Sequence, residues 1–262
     1  MILSLDCSTL TLSLALLRAD GTLLEHRLVG PPQRQSEILP GQIEAILKAQ
    51  GHTLQDLTGF VVGLGPGSFT GLRIGLATAK GLAYALKVPI AGVSSLAALA
   101  LEGPVDTELL CCAVVKKGEL YVGRYTRVSP LPDPLPRGGE GGTGTGTGPR
   151  TGLELSSPEV SMTLAQVAEA LKASPNARMI GPALTDWRAP LEALGVPATS
   201  FLPGPLVPSA VCLARLATIP TTFSAEALYA LEPHYIRGSG AEENPKFPPL
   251  PGVEPKARLK ED

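Results

Sequence analysis

The chain is poor in the residues that most reactive centres need. Its 262 residues include only three histidines, His26, His52 and His234, which stand far apart and in no HxxxH or HExxH pattern. No helix can therefore offer a metal a pair of histidines. There are four cysteines, Cys7, Cys111, Cys112 and Cys212, and no CxxC pair. A zinc site is not expected, and free buried thiols in a reducing cytoplasm are. Aromatic residues make up 4% of the chain. The net charge is -2, so the composition lacks the basic excess of a high-affinity nucleic-acid binder, and scattered lysines and arginines read as solvated surface. The opening MILSLDCST has no basic stretch and no long apolar run, so neither a signal peptide nor a membrane span is expected. No Ser/His/Asp spacing suggests a triad. Catalytic residues, metal ligands and a cofactor of its own are all expected to be absent.

What is present is a core. Hydrophobic residues are 44% and charged residues 18%, a globular balance with length for one large or two small domains. Apolar runs at Ile2 to Leu5, Thr11 to Leu17 and Thr22 to Val29 read as three antiparallel strands, with Asp20-Gly21 as a hairpin turn. A helix follows over Ser36 to Gln50, with Pro40 near its first turn and Gly51 as C-cap. Phe60 to Leu64 and Val88 to Val93 read as strands, each followed by a helix. Gly103-Pro104 marks a boundary. Beyond it the order partly repeats, with strands at 109–115, 120–127 and 153–160, helices near 163–173, 186–194 and 209–218, and Leu231 to Arg237 ending the fold. Adjacent Cys111 and Cys112 point to opposite faces of one strand.

The expected fold class is therefore α/β, with two lobes of duplicated β-β-β-α-β-α order. That is the order of the actin/Hsp70-like ATPase fold, related to ribonuclease H. The N-terminal lobe is expected over 1–104 and the C-terminal lobe over 105–238. A Pro/Gly/Thr-rich insertion over 129–152 reads as a mobile low-complexity loop, and 239–262 as a disordered tail carrying Lys256, Arg258 and Lys260.

The most informative stretch runs from Val61 to Leu86, VVGLGPGSFTGLRIGLATAKGLAYAL. A Walker loop needs Lys-Ser/Thr after its last glycine, whereas Leu72-Arg73 follow Gly71, and the glycines do not fit G-x-G-x-x-G. The glycines before Ser68 read as a tight strand-to-helix turn. On a helical wheel Leu72, Gly75, Leu76, Ala79, Ala83 and Leu86 form one apolar stripe. Thr70, Gly71, Ile74, Thr78, Gly81 and Ala85 form a second stripe of small residues. Arg73, Lys80, Tyr84 and Lys87 share a narrow polar edge. A surface helix needs only one apolar face. The second face packs either within the chain or on another subunit, whose close approach would offset about 1 kcal/mol per in-helix glycine. Asp6, Ser8 and Thr9 sit where actin-like ATPases hold phosphate and metal-bound water, but no glycine stands between Asp6 and Thr9. They read as a vestigial nucleotide site or as turn caps.

GPGSFTGLRIGLATAKGLA resembles the signature of the bacterial TsaB (YeaZ) family, and ILSLDCST, VSSLAALA, GELYVGRY and EPHYIR extend the resemblance over most of the chain. The family, once grouped with glycoproteases, resembles non-metal relatives of the actin-like fold. The resemblance implies a non-catalytic scaffold that pairs with a homologous catalytic TsaD-like subunit and works with a TsaE-like ATPase. Together they transfer a threonylcarbamoyl group from threonylcarbamoyl-AMP to the adenosine beside the tRNA anticodon. It implies a homodimer when the partner is absent, ATP and tRNA only at the level of the complex, no membrane, and the cytoplasm. It places the partner interface on Ile38, Leu39, Ile43 and Ile46 of the first helix and on Gly71, Ile74, Gly75, Thr78, Gly81, Leu82 and Ala85 of the second. Two departures stand out. RQSEILP lacks the histidine that often precedes this helix, and Val115, Lys116 and Lys117 replace an acidic D-A-R pattern before Gly118-Glu119. The alternatives are an independent actin-like ATPase or glycoprotease-type peptidase, and a nucleotide-binding regulator.

Overall fold

A computed structural model describes residues 1–31, 35–116, 118–128, 152–204 and 207–236, without the side chains of residues 115 and 116. Nearly all of the insertion expected over 129–152, and the whole tail expected over 239–262, lie outside the described residues. The N-terminal lobe contains β1 (Ile2–Asp6), β2 (Leu12–Leu17), β3 (Leu23–Val29), α1 (Gln35–Ala49), β4 (Gly59–Gly63), α2 (Phe69–Leu86), β5 (Ile90–Val93) and α3 (Ser95–Glu102). Its sheet has the order β3-β2-β1-β4-β5, antiparallel through β1–β2–β3 and parallel at β1–β4 and β4–β5. β1, β2 and β4 are buried on both faces and are largely apolar, with Ser4, Asp6 and Ser13 as their buried polar residues.

The second lobe repeats the plan with β6 (Glu108–Lys116), β7 (Glu119–Arg127), β8 (Leu153–Thr163), α4 (Leu164–Ala173), β9 (Arg178–Ile180) and α5 (Leu184–Ala193). Its sheet order is β8-β7-β6-β9, with β9 parallel to β6. Cys111 and Cys112 do face opposite ways, one into the core between the sheets and the other into the core under α4 and α5. All four cysteines are free and buried. Burial pushes the Cys212 thiol up to about 12.

Two helices differ from the domain expectation. α6 (Ala210–Leu216) inserts between the lobes and packs on β1, β2 and β4, its first amide donating to Ser13 Oγ at 2.9 Å. α7 (Ala225–Ala230) lies on α2. The lobe expected over 105–238 thus returns its last stretch to the first lobe. Residues 231–236 then follow as an irregular segment. Layers run α1/α2, first sheet, α3/α6, second sheet, α4/α5. Pro40 falls in the second turn of α1, not the first, because the helix already begins at Gln35. One carbonyl a turn earlier loses its amide partner there.

Candidate functional site

The turn from β4 into α2 is pressed against the β1–β2 hairpin, backbone on backbone. A Cβ built at Gly67 would lie 2.3 Å from the Ser8 carbonyl oxygen, and one at Gly71 2.1 Å from that of Cys7. At Gly75 it would meet Cys7 Sγ at 3.0 Å. The family resemblance places Gly71 and Gly75 at a partner interface, but in the structure both pack on the chain's own hairpin. Of the three glycines within α2, only Gly81 opens outward, with nothing within 4 Å of its Cβ position.

Asp6 is fully buried at the end of β1. Its Oδ1 accepts from the Ser8 amide at 2.9 Å and the Ser8 hydroxyl at 2.6 Å, and its Oδ2 from the Ser95 hydroxyl at 2.6 Å. Ser95 Oγ in turn accepts from the Gly65 amide at 3.1 Å. Burial pushes the carboxyl above its ordinary range although these bonds favour its charged form. Thr9 turns its hydroxyl to the Thr11 carbonyl. A phosphate cradle needs free amides. Here the amides of Ser8, Gly65, Ser68 and Gly71 all donate within the chain. Of Asp6, Ser8 and Thr9, read from sequence as a vestigial nucleotide site or as turn caps, Asp6 and Ser8 form with Ser95 an internal clasp joining β1, β4 and α3, and the Thr9 hydroxyl stays within its own turn.

The surface left open lies between α1 and α2. Leu39, Ile43 and Ile46, three of the residues expected at a partner interface, point inward and pack on Leu3, Leu14, Phe60 and Val62. Leu72, Leu76, Ala79 and Ala83 of α2 are buried with or beside them, so the first wheel stripe faces the sheet. Ile38, Ile74, Thr78 and Leu82 are half-buried, and Gly81 and Ala85 are exposed. Ala77, Thr78, Gly81 and Leu82 meet Pro40, Gly41, Ile43, Glu44 and Leu47 across a groove of about 840 Å³. His52, Thr53 and Leu54, from the loop after α1, complete its lining and carry no helical period that could have flagged them.

A second polar cluster sits at the lobe seam. The Glu159 carboxylate of β8 is almost fully enclosed and accepts from the Ser94 and Tyr125 hydroxyls. His234 Nδ1 stands 2.9 Å from its other oxygen, and the His234 amide donates to the Leu64 carbonyl at 2.7 Å. Segment 231–236 is thereby strapped across both lobes. Sequence reasoning missed the cluster because its four residues come from distant parts of the chain. The hydrogen bond to Glu159 pushes the His234 imidazole above its usual pKa, with burial opposing. A raised folded-state value means the added stability is full below about pH 6.5 and is lost as pH rises through the folded pKa. The melting-temperature gap between wild type and His234→Gln should therefore be widest near about pH 6 and close toward pH ~8.5. A gap that does not vary with pH would mean His234 is held by its amide alone.

Among the described residues, no group of three or more metal-ligating side chains is assembled, and no helix is long and apolar enough to cross a membrane. A family model described as TsaD, tRNA N6-adenosine threonylcarbamoyltransferase, matches residues 32–133. The tRNA threonylcarbamoyladenosine biosynthesis protein TsaB of Bacillus subtilis (strain 168) is 38% identical over 125 residues, 47% of this chain and 54% of that protein. The protein of the same name from Escherichia coli (strain K12) is 38% identical over 130 residues, 48% of this chain and 55% of that one. The chain thus spans about half the length of the curated relatives it matches. Among solved structures, an uncharacterized Pseudomonas aeruginosa protein with similarity to peptidase YEAZ superposes with a TM-score of 0.66 at 23% identity, covering 90% of this chain and 99% of that one. YeaZ from Pseudomonas aeruginosa gives 0.61 at 24%, over 82% and 89%. The fold is the two-lobed actin-like one.

Proposed function

Since the chain belongs to the TsaB/YeaZ family, a kinship carried at sequence level by about half its length, we propose that it serves tRNA threonylcarbamoyladenosine formation as a non-catalytic scaffold. In this reading it pairs with a TsaD-like catalytic subunit, works with a TsaE-like ATPase, and forms a homodimer when the partner is missing. ATP and tRNA belong to the assembled complex.

The observation that carries the reading is the open groove between α1 and α2. Its lining is largely apolar or small, and Gly81 leaves room for another backbone to come close. The TsaD-type family match covers α1 and α2 of this chain, so a TsaD-like partner would bring a similar pair of helices. Two like surfaces then meet about a pseudo-twofold axis, as in isologous contacts. The internal use of Asp6 and of the surrounding amides favours a scaffold over an ATPase.

Thr78→Arg and Gly81→Arg test this. Both positions reach the surface, so melting temperature should change little, while self-association and capture of a TsaD-like subunit should each weaken at least about tenfold, or roughly 1.4 kcal/mol. Sedimentation velocity reads the first and pull-down the second. If both variants associate like wild type, the docking face lies elsewhere. Gly75→Arg is unsuitable, because Gly75 packs on Cys7.

A further inference from the structure

In this aromatic-poor chain the exposed aromatics are all in one place. Among the described residues, Phe69, Tyr84, Tyr229 and Tyr235 are the only aromatic side chains that are exposed, and all four lie along one edge of α2 and the segment packed on it. Arg73, Lys80 and Lys87 run along the same edge. At seven-residue spacing they repeat every two turns, about 10.5 Å apart.

The two sets are interleaved. The Arg73 guanidinium lies 3.9 Å over the Phe69 ring, and its Nε donates to the Tyr235 hydroxyl at 3.0 Å. Lys80 Nζ donates to the Tyr229 carbonyl at 3.1 Å, and Lys87 Nζ sits 3.6 Å over the Tyr84 ring. The three cations thus rest on ring faces, a hydroxyl and a carbonyl. Among the described residues no carboxylate forms an ion pair with any of them. Glu226 and Glu232 lie exposed on the same stretch and leave them unpaired.

We propose that this edge binds a single-stranded nucleic acid, its phosphates on Arg73, Lys80 and Lys87 and its bases stacked on the exposed rings. Stacking platforms beside uncompensated cations are how single strands are held without reading sequence. Lysine is depleted from the cores of protein–protein interfaces, which disfavours a protein occupant. Three contacts give weak binding, in keeping with a net charge of only -2. The assignment is independent of the α1–α2 groove and needs no partner subunit.

The test uses the full chain and labelled RNA and DNA oligonucleotides of one sequence, about twelve nucleotides long, read by fluorescence anisotropy. The triple variant Arg73→Gln/Lys80→Gln/Lys87→Gln should weaken binding by roughly tenfold or more at about 50 mM salt. It should also lower the slope of log K against log salt by about 2, at ~0.7 per phosphate. Tyr229→Ala should weaken binding about fivefold or more and leave that slope unchanged. The double variant Lys80→Gln/Lys87→Gln, which keeps Arg73 on Tyr235, guards against misfolding and should lower the slope by about 1.4. Binding of either strand type supports the assignment, and a preference for RNA adds the 2′-hydroxyl to what is read. Equal affinity and slope in wild type and the triple variant overturn it, because the charge contacts would then lie elsewhere, for example on Lys256, Arg258 and Lys260. So does an absence of wild-type binding at about 50 mM salt.

Discussion

Gly71→Ala is expected to destabilise the chain by about 2 kcal/mol, the net of overpacking and helix propensity. The new methyl would lie 2.1 Å from the Cys7 carbonyl oxygen, a backbone atom within the β1–β2 hairpin. Neither side yields easily. The Ser8 carbonyl next to Cys7 is tied to the Ser68 amide at 2.7 Å, and the α2 N-terminus is fixed by Ser68, whose Oγ accepts from the Gly71 amide. Overpacking typically costs about 1–3 kcal/mol, and contact with a held backbone belongs at the top of that range. Alanine's helix propensity returns about 1 kcal/mol and does not reverse the sign. For a chain of this size the melting temperature should fall by roughly 4–8 °C. Gly81→Ala is the matched control. It lies in the same helix with open space around it, so the propensity gain acts alone and melting should rise slightly. Equal shifts for the two variants would mean that α2 does not bear on the hairpin as described.

Asp6→Ala should cost about 3–5 kcal/mol, comparable to breaking a buried charged network. The substitution leaves the Ser8 amide, the Ser8 hydroxyl and the Ser95 hydroxyl without their acceptor in a fully buried place. Each buried orphan donor costs about 1–3 kcal/mol. Ser95→Ala should be milder, since Ser8 still serves the carboxylate while the Gly65 amide loses its acceptor. Denaturant unfolding measures both, with a lower midpoint and an unchanged slope expected. The result separates two roles for one residue. A structural clasp loses stability on truncation. A nucleotide-site aspartate would lose ATP turnover with the fold unharmed, and that outcome would restore the independent-ATPase alternative.

The repeated β-β-β-α-β-α order was legible because each strand and helix carries its own period and its own stop signal. Ser68, Ser94 and Thr163 cap their helices with a hydroxyl. The wheel for α2 divides its faces correctly. What it cannot say is which neighbour a small residue serves. Gly71, Gly75 and Gly81 look alike in sequence, yet two admit the chain's own hairpin and one faces the groove. The same limit hid the Glu159 cluster, which joins Ser94, Tyr125 and His234 across the seam between the lobes. Contacts of that range leave no local pattern. α6 was legible as a helix but not as an insertion between the lobes, since its seven residues are apolar on nearly every side and would suit any core. Leu39 and Ile46 show the converse error. Their spacing marks a face that must be covered, and the chain's own sheet covers it, whereas Ile43 also reaches the groove.

The return of α6 to the first sheet bears on how the protein is made. β5 ends at Val93 and α6 begins only at Ala210, so well over a hundred residues must be synthesised before β1, β2 and β4 gain their last cover. At ~5–20 residues per second, translation leaves that apolar face bare for roughly ten seconds. The first lobe to emerge from the ribosome is therefore among the last to close. A nascent chain stalled before Ala210 would present a ready substrate to holding chaperones.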